Sequence, residues 1–197
     1  AGLARLETLA EQLPNVDFEG LEISRETVPE QPILFVDVTA AQTAEERDAA
    51  ERDGLHRLNQ YFTENSIATD GSVVRIWPPV REANNYRSWI VGYPYGGQEP
   101  ARFSGGVRPG HTPGGAVIRF KHDGPRSQLG QTYLRACAYL VAHRELPYAA
   151  AGAAPNCTEQ PEGVVPWEVV RQTSGAPNPD TGIAETPEHT EIYYPVE

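Results

Sequence analysis

The stretch Val164-Val165-Pro166-Trp167-Glu168-Val169-Val170 sets one carboxylate among bulky and β-branched residues. That composition is a strand's, and the charge is the exception in it. Side chains alternate along a strand, so Val165, Trp167 and Val169 share one face and Pro166, Glu168 and Val170 the other. The first trio is apolar enough to pack against helices, which aims Glu168 across the far side of the sheet. A carboxylate in a low-dielectric hollow attracts cations or works as an acid or base; on a solvated face it would do neither.

Working outward, strand-like runs at residues 21–28 and 32–40 are separated by Pro29-Glu30-Gln31-Pro32. Thr43 and Glu46 have the spacing of a capping box, which predicts a helix to about residue 65 with Leu55, Leu58 and Phe62 as its apolar stripe. Its acidic and basic residues are read as solvent-facing. Strands at 72–77 and 86–93 follow, with Pro78-Pro79 and Asn84-Asn85 marking the turn between them. Residues 94–115 are rich in Gly and Pro and read as a long connection. A strand over 115–121, a turn at His122-Asp123-Gly124-Pro125 and a helix over 126–144 come next. Leu129, Tyr133, Ala136 and Leu140 lie on one face of that helix. The Glu168 strand and a last strand at 190–196 complete the chain.

The order is therefore β-α-β-β, a linker, and β-α-β-β again. Two such units packed side by side give an α+β fold with one continuous antiparallel sheet, two helices on one face and a concave ligand cleft on the other. The expected division is a short helix or stalk remnant at 1–16, with Leu3, Leu6, Leu9 and Leu13 on one face, and a domain at 17–197. Within the domain, repeat one covers about 20–95, the linker about 96–114 and repeat two about 115–197.

Three matches, in chain order, resemble the GyrI-like (gyrase-inhibitor-like) small-molecule-binding family. Residues 115–125, GAVIRFKHDGP, resemble the strand and His-x-Gly-Pro-type turn that open its second repeat. Pro166-Trp167-Glu168-Val169-Val170 resembles its Pro-Phe-Glu-Val-Tyr strand, with Val170 in place of the Tyr. Thr190-Glu191-Ile192-Tyr193-Tyr194-Pro195-Val196 resembles its closing strand. The family includes effector-binding halves of multidrug-sensing transcription activators, drug-binding proteins, the gyrase inhibitor and some hydrolases of cyclopropane-bearing compounds. The resemblance implies a cleft for a hydrophobic, often cationic, ligand facing an acidic residue, here Glu168.

Strand parity supplies the cleft's other candidates. If Val74 and Ile76 face the helices, Arg75 and Trp77 face the cleft; likewise Ile192 and Tyr194 leave Glu191 and Tyr193 opposite. The expected ligand-binding set is Glu168, Trp77, Trp89, Tyr93 and Tyr193, with Arg75 placed to neutralise Glu168. Function is read first as a small-molecule binding module. A hydrolase with Glu168 as general acid or base and Tyr193 beside it is the second reading. A protein-interaction module of the gyrase-inhibitor type is the third.

Composition bounds these readings. With 16 Lys and Arg against 27 Asp and Glu the net charge is −11, the wrong sign for a phosphate backbone. No zinc spacing, phosphate loop or dinucleotide fingerprint occurs, so neither a metal nor a cofactor is expected. The chain starts at Ala1 and has no Met, which suggests a removed signal peptide or a membrane anchor upstream. Cys137 and Cys157 are the two cysteines and are expected to form a disulfide if the compartment is oxidising. A periplasmic or membrane-anchored location is accordingly favoured over a cytoplasmic one.

Overall fold

The computed structural model describes residues 18–41, 43–77, 86–97, 99–124, 126–143, 165–172 and 188–196. The expected helix at 1–16, the turn residues 78–85 and Cys157 lie outside the described residues. Strands β1 (Glu22–Val28) and β2 (Pro32–Ala41) lead into helix α1 (Ala44–Glu64), then β3 (Val73–Ile76), β4 (Tyr86–Pro94) and β5 (Arg108–His111). Next come β6 (Gly115–Gly124), a 3-10 turn (Arg126–Gln128), helix α2 (Leu129–Ala142), β7 (Trp167–Gln172) and β8 (Glu188–Pro195). Among the described residues, no helix is long and apolar enough to cross a membrane.

All eight strands form one sheet in the order β1-β6-β8-β7-β3-β4-β2-β5, every pairing antiparallel. The order strand-helix-strand-strand occurs twice, as β2-α1-β3-β4 and β6-α2-β7-β8, and the two runs meet where β3 pairs with β7. β1 and β2 are neighbours in sequence but lie near opposite ends of the sheet. Pro29 and Pro32 lack the amide hydrogens that a continuous ladder would need. Gln31 and Thr112 tie the two crossings together: the Gln31 amide donates to Thr112 Oγ1 and the Thr112 amide to the Gln31 carbonyl, each at 2.9 Å.

This crossing draws the ends of the sheet towards each other. On the face away from the helices, Ile33 of β2 and Val117 of β6 join Val74, Ile76, Trp167, Val169 and Tyr193 in one buried cluster. The other face carries both helices. Leu34, Val36, Val38, Trp89 and Val91 pack under α1, with Leu58, Tyr61 and Phe62 facing them. Ile118, Phe120 and Ile192 pack with Leu129, Ala136 and Leu140 of α2.

Two boundaries differ from the sequence reading. β5 lies inside the expected linker; its Pro109 and Gly110 read as turn residues, yet suit an edge strand that pairs on one side. His122 and Asp123 continue β6 instead of turning, because they pair with Thr190 and His189 of β8. The α1 cap is as expected: the Glu46 amide donates to Thr43 Oγ1 at 3.3 Å, and the Thr43 hydroxyl donates to the Glu46 carboxylate at 2.6 Å.

Gly54 sets how closely α1 approaches the sheet. A Cβ there would lie 3.0 Å from a methyl of Val38 and 3.2 Å from methyls of Val36 and Val91. Gly54→Val should therefore lower stability by about 1–3 kcal/mol through overpacking, read as a lower urea midpoint with unchanged slope.

Candidate functional site

The ladder register fixes which residues share the helix-bearing face. Val91 pairs with Arg75, Arg75 with Glu168, Glu168 with Ile192, and Ile192 with Phe120. Directly paired residues of antiparallel strands point the same way. Val91 lies under α1 and Phe120 under α2, so Arg75 and Glu168 project from the centre of the helix-bearing face.

There they build a buried charge group. Glu168 is 2% exposed, Arg75 and Glu51 4% each. Arg75 Nη1 donates to Glu168 Oε2 at 3.2 Å. Its Nε and Nη2 both donate to Glu51 Oε1, at 3.0 and 2.7 Å. Trp77 Nε1 donates to Glu168 Oε1 at 3.2 Å, and the Tyr133 hydroxyl of α2 donates to the same oxygen. On the solvent side, Arg126 Nη2 lies 3.5 Å from Glu51 Oε2 and 3.6 Å from Asp48 Oδ1.

Aromatic side chains line one flank. Trp77, partly buried, stacks on Trp89 at 5.6 Å, and Trp89 is 1% exposed with no hydrogen-bond partner for its Nε1 among the described residues. Burial pushes the Tyr93 phenol above its ordinary value; a hydrogen bond with Asn59 works against the rise and the nearby Glu51 charge adds to it. Burial, then the Glu168 charge, pushes Tyr133 well above the usual tyrosine value, so its hydroxyl keeps its proton and donates. Glu51 moves the other way: burial alone would raise its pKa, but the charges of Arg75 and then Arg126 hold it below 4.5.

Glu168, Trp77 and Trp89 thus come together, with Tyr93 further along the same face against Phe62, but this is the helix-bearing face and not the face opposite the helices. The cause is that this sheet is buried on both sides. Val74, Ile76, Trp167 and Val169 are as apolar as residues packed under a helix, yet they fill the concave side. Tyr193 is separated from the group with them. It stacks on Trp167 at 5.0 Å, and its hydroxyl donates to Glu191 Oε2 at 3.0 Å. Burial and the Glu191 charge push its phenol up to about 12. The expected Glu168–Tyr193 pairing is therefore not formed. Tyr133 occupies that role beside Glu168, and Glu51 is the second carboxylate. Glu51 does carry a sequence signal: it shares the buried phase of α1 with Gly54, Leu58, Tyr61 and Phe62.

No protein-family model matches the sequence, and no curated protein matches it. Solved structures share its fold. The crystal structure of the EcmrR C-terminal domain superposes with a TM-score of 0.60 at 11% identity, over 90% of this chain and 98% of that one. SAV2435 bound to tetraphenylphosphonium gives 0.52 at 12% identity, over 89% and 94%. An uncharacterized conserved protein from Listeria innocua gives 0.51 at 13% identity, over 89% and 92%. The fold is thus the one that the GyrI-like resemblance implied.

The charge group makes stability depend on Arg75. Arg75→Met leaves two buried carboxylates without their shared cation, a loss of about 3–5 kcal/mol at neutral pH by denaturant unfolding. Glu51, with its folded pKa depressed, stabilises the native protein above pH 4.5 and loses that contribution as the pH falls through its folded value. Wild type should weaken on acidification below that point. The Arg75→Met deficit should shrink instead, because Glu51 without the Arg75 charge takes up a proton more readily.

Proposed function

We propose that the chain is a binding module for a hydrophobic organic cation, held by Glu168 and walled by Trp77, Trp89 and Tyr93. The observation that carries this reading is a charge count. Glu51 and Glu168 share the guanidinium of Arg75, so these three buried residues hold one negative charge in excess. Arg126 offsets it only from the half-exposed side, at 3.5 Å. A desolvated excess charge beside aromatic faces is complementary to a cation. Each face adds roughly 0.5–2 kcal/mol, the more so the drier the site. Trp77 is partly buried and touches Glu168, which makes it the ring that a ligand meets first. SAV2435, which shares the fold, is bound to such a cation, tetraphenylphosphonium.

Binding is favoured over hydrolysis by what stands next to Glu168. Tyr133 donates to the carboxylate and is held protonated, and Arg75 donates to its other oxygen. Both oxygens of Glu168 thus carry donors, an arrangement that suits holding a charge more than taking a proton from water. With the reading go two of its expectations: residues 17–197 act as one ligand-binding domain, and Cys137 and Cys157 are joined in an oxidising compartment.

Tetraphenylphosphonium at about 100 times its Kd should stabilise the protein by about 2.7 kcal/mol, seen as a rise in Tm. The neutral analogue tetraphenylmethane or a soluble derivative should give no rise, and Glu168→Gln should abolish the cation's effect. Stabilisation that persists in Glu168→Gln would overturn the assignment of the site. For the disulfide, the intact mass without reductant should be two hydrogens below that of the reduced protein, and titration of two free thiols would disprove the bond.

A further inference from the structure

The buried acidic group already holds a cation of its own. Of the Arg75 hydrogen bonds to the two carboxylates, the pair to Glu51 Oε1, at 3.0 and 2.7 Å, is shorter than the single bond to Glu168 Oε2 at 3.2 Å. Glu168 Oε1 is taken by Trp77 and Tyr133. Every ligand that reaches Glu168 therefore meets a carboxylate with donors on both oxygens, and loss of the Arg75 bond leaves its donor still paired with Glu51.

We propose that the ligand enters by exchange: it replaces Arg75 at Glu168 Oε2 while Arg75 stays on Glu51. This rests on the cation-binding reading and narrows its ligand class. Oε2 is buried, and a buried acceptor stripped of its donor is penalised well beyond the net worth of the bond. A cation whose charge is wrapped in carbon cannot return that hydrogen bond. A protonated amine, an amidinium or a guanidinium on an aromatic body can. The site is then selective for cations that carry N–H groups, by about tenfold or more over carbon-shielded ones.

Glu51 is the positioning residue of this exchange. It keeps the Arg75 guanidinium paired when Glu168 turns to the ligand, so that no lone buried cation is created. Its other oxygen faces Arg126, the half-exposed side chain that bridges the start of α2 to Glu51 and Asp48 of α1. Without the Glu51 charge, Arg75 would be drawn more strongly to Glu168 and compete harder with the ligand.

The test is a matched pair measured by calorimetry and thermal shift: 2-naphthylmethylammonium and its N,N,N-trimethyl counterpart, with tetraphenylphosphonium alongside. The exchange predicts that wild type binds the ammonium about tenfold or more tightly than the trimethylated form. It predicts that Glu168→Gln removes both binding and preference. Glu51→Gln should weaken ammonium binding by about tenfold, and Glu51→Asp should restore part of it. Equal affinity within the pair, or preference for the trimethylated ion or tetraphenylphosphonium, with dependence on Glu168 intact, overturns the exchange and leaves the cation site standing. Absence of binding by all three cations, or binding indifferent to Glu168→Gln, overturns the cation reading itself. The matched pair on wild-type protein decides the exchange without any variant.

Discussion

Two carboxylates and one guanidinium, buried together, constrain this fold more tightly than any apolar contact in it. Removing a carboxylate from water is affordable only where a cation and several donors meet it. Here those partners arrive from different elements: Arg75 from β3, Glu168 from β7, Glu51 from α1 and Tyr133 from α2. They converge where β3 pairs with β7, the join between the two strand-helix-strand-strand runs. A slip of one residue in that pairing would turn Arg75 to the concave side and take from both carboxylates the cation they share. Hydrophobic packing alone would not enforce that register, because both faces of β3 are buried.

The opposite face shows what the charge group is protected from. The crossing strands bring Ile33 and Val117 onto Val74, Ile76 and Trp167, so that side of the central strands is closed by the sheet's own curl. Polar pairing on that side gathers further along β8, where Glu191 receives hydrogen bonds from Tyr193 and Arg119 at 3.0 and 2.9 Å. The sheet thus keeps its acidic residues in separate compartments: Glu168 faces the helices and Glu191 faces away. Only the first lies between elements of both runs.

Much of this was legible in the sequence. Glu168 is an isolated charge in a strand of Val and Trp, and such a residue has to be either solvated or specifically paired. The Thr43 cap, the α2 stripe and the strand at 32–40 follow from local pattern and appear as read. The failures have one cause in common, that local pattern carries no information about what covers a surface. Parity placed Val74 and Trp167 under the helices because they are apolar, whereas a sheet buried on both faces offers no polar side to orient it. Tyr193 was assigned to Glu168 by the same step. Glu51 was counted as solvated because most acidic residues on a helix are; only its phase with Gly54 and Leu58 distinguishes it. β5 was hidden by Pro109 and Gly110, although Gly110 is needed there: a Cβ would come 2.7 Å from the Phe35 ring.

A carboxylate kept for a ligand poses a thermodynamic problem whenever the ligand is absent. Left unpaired in a dry site it would take up a proton or draw in water, and either response weakens its attraction for a cation. An internal guanidinium meets that difficulty by pairing with Glu168 inside the buried site. If Glu168 holds a cation as proposed, the penalty is competition, since the ligand must displace Arg75. Glu51 lowers that penalty because it gives the guanidinium a second carboxylate to rest on, and its depressed pKa means that it stays charged through the physiological range. The excess negative charge is then shared between two carboxylates bridged by Arg75, not fixed on Glu168. In such an arrangement affinity depends less on the strength of any one bond than on the difference between what Arg75 gives up and what the ligand supplies.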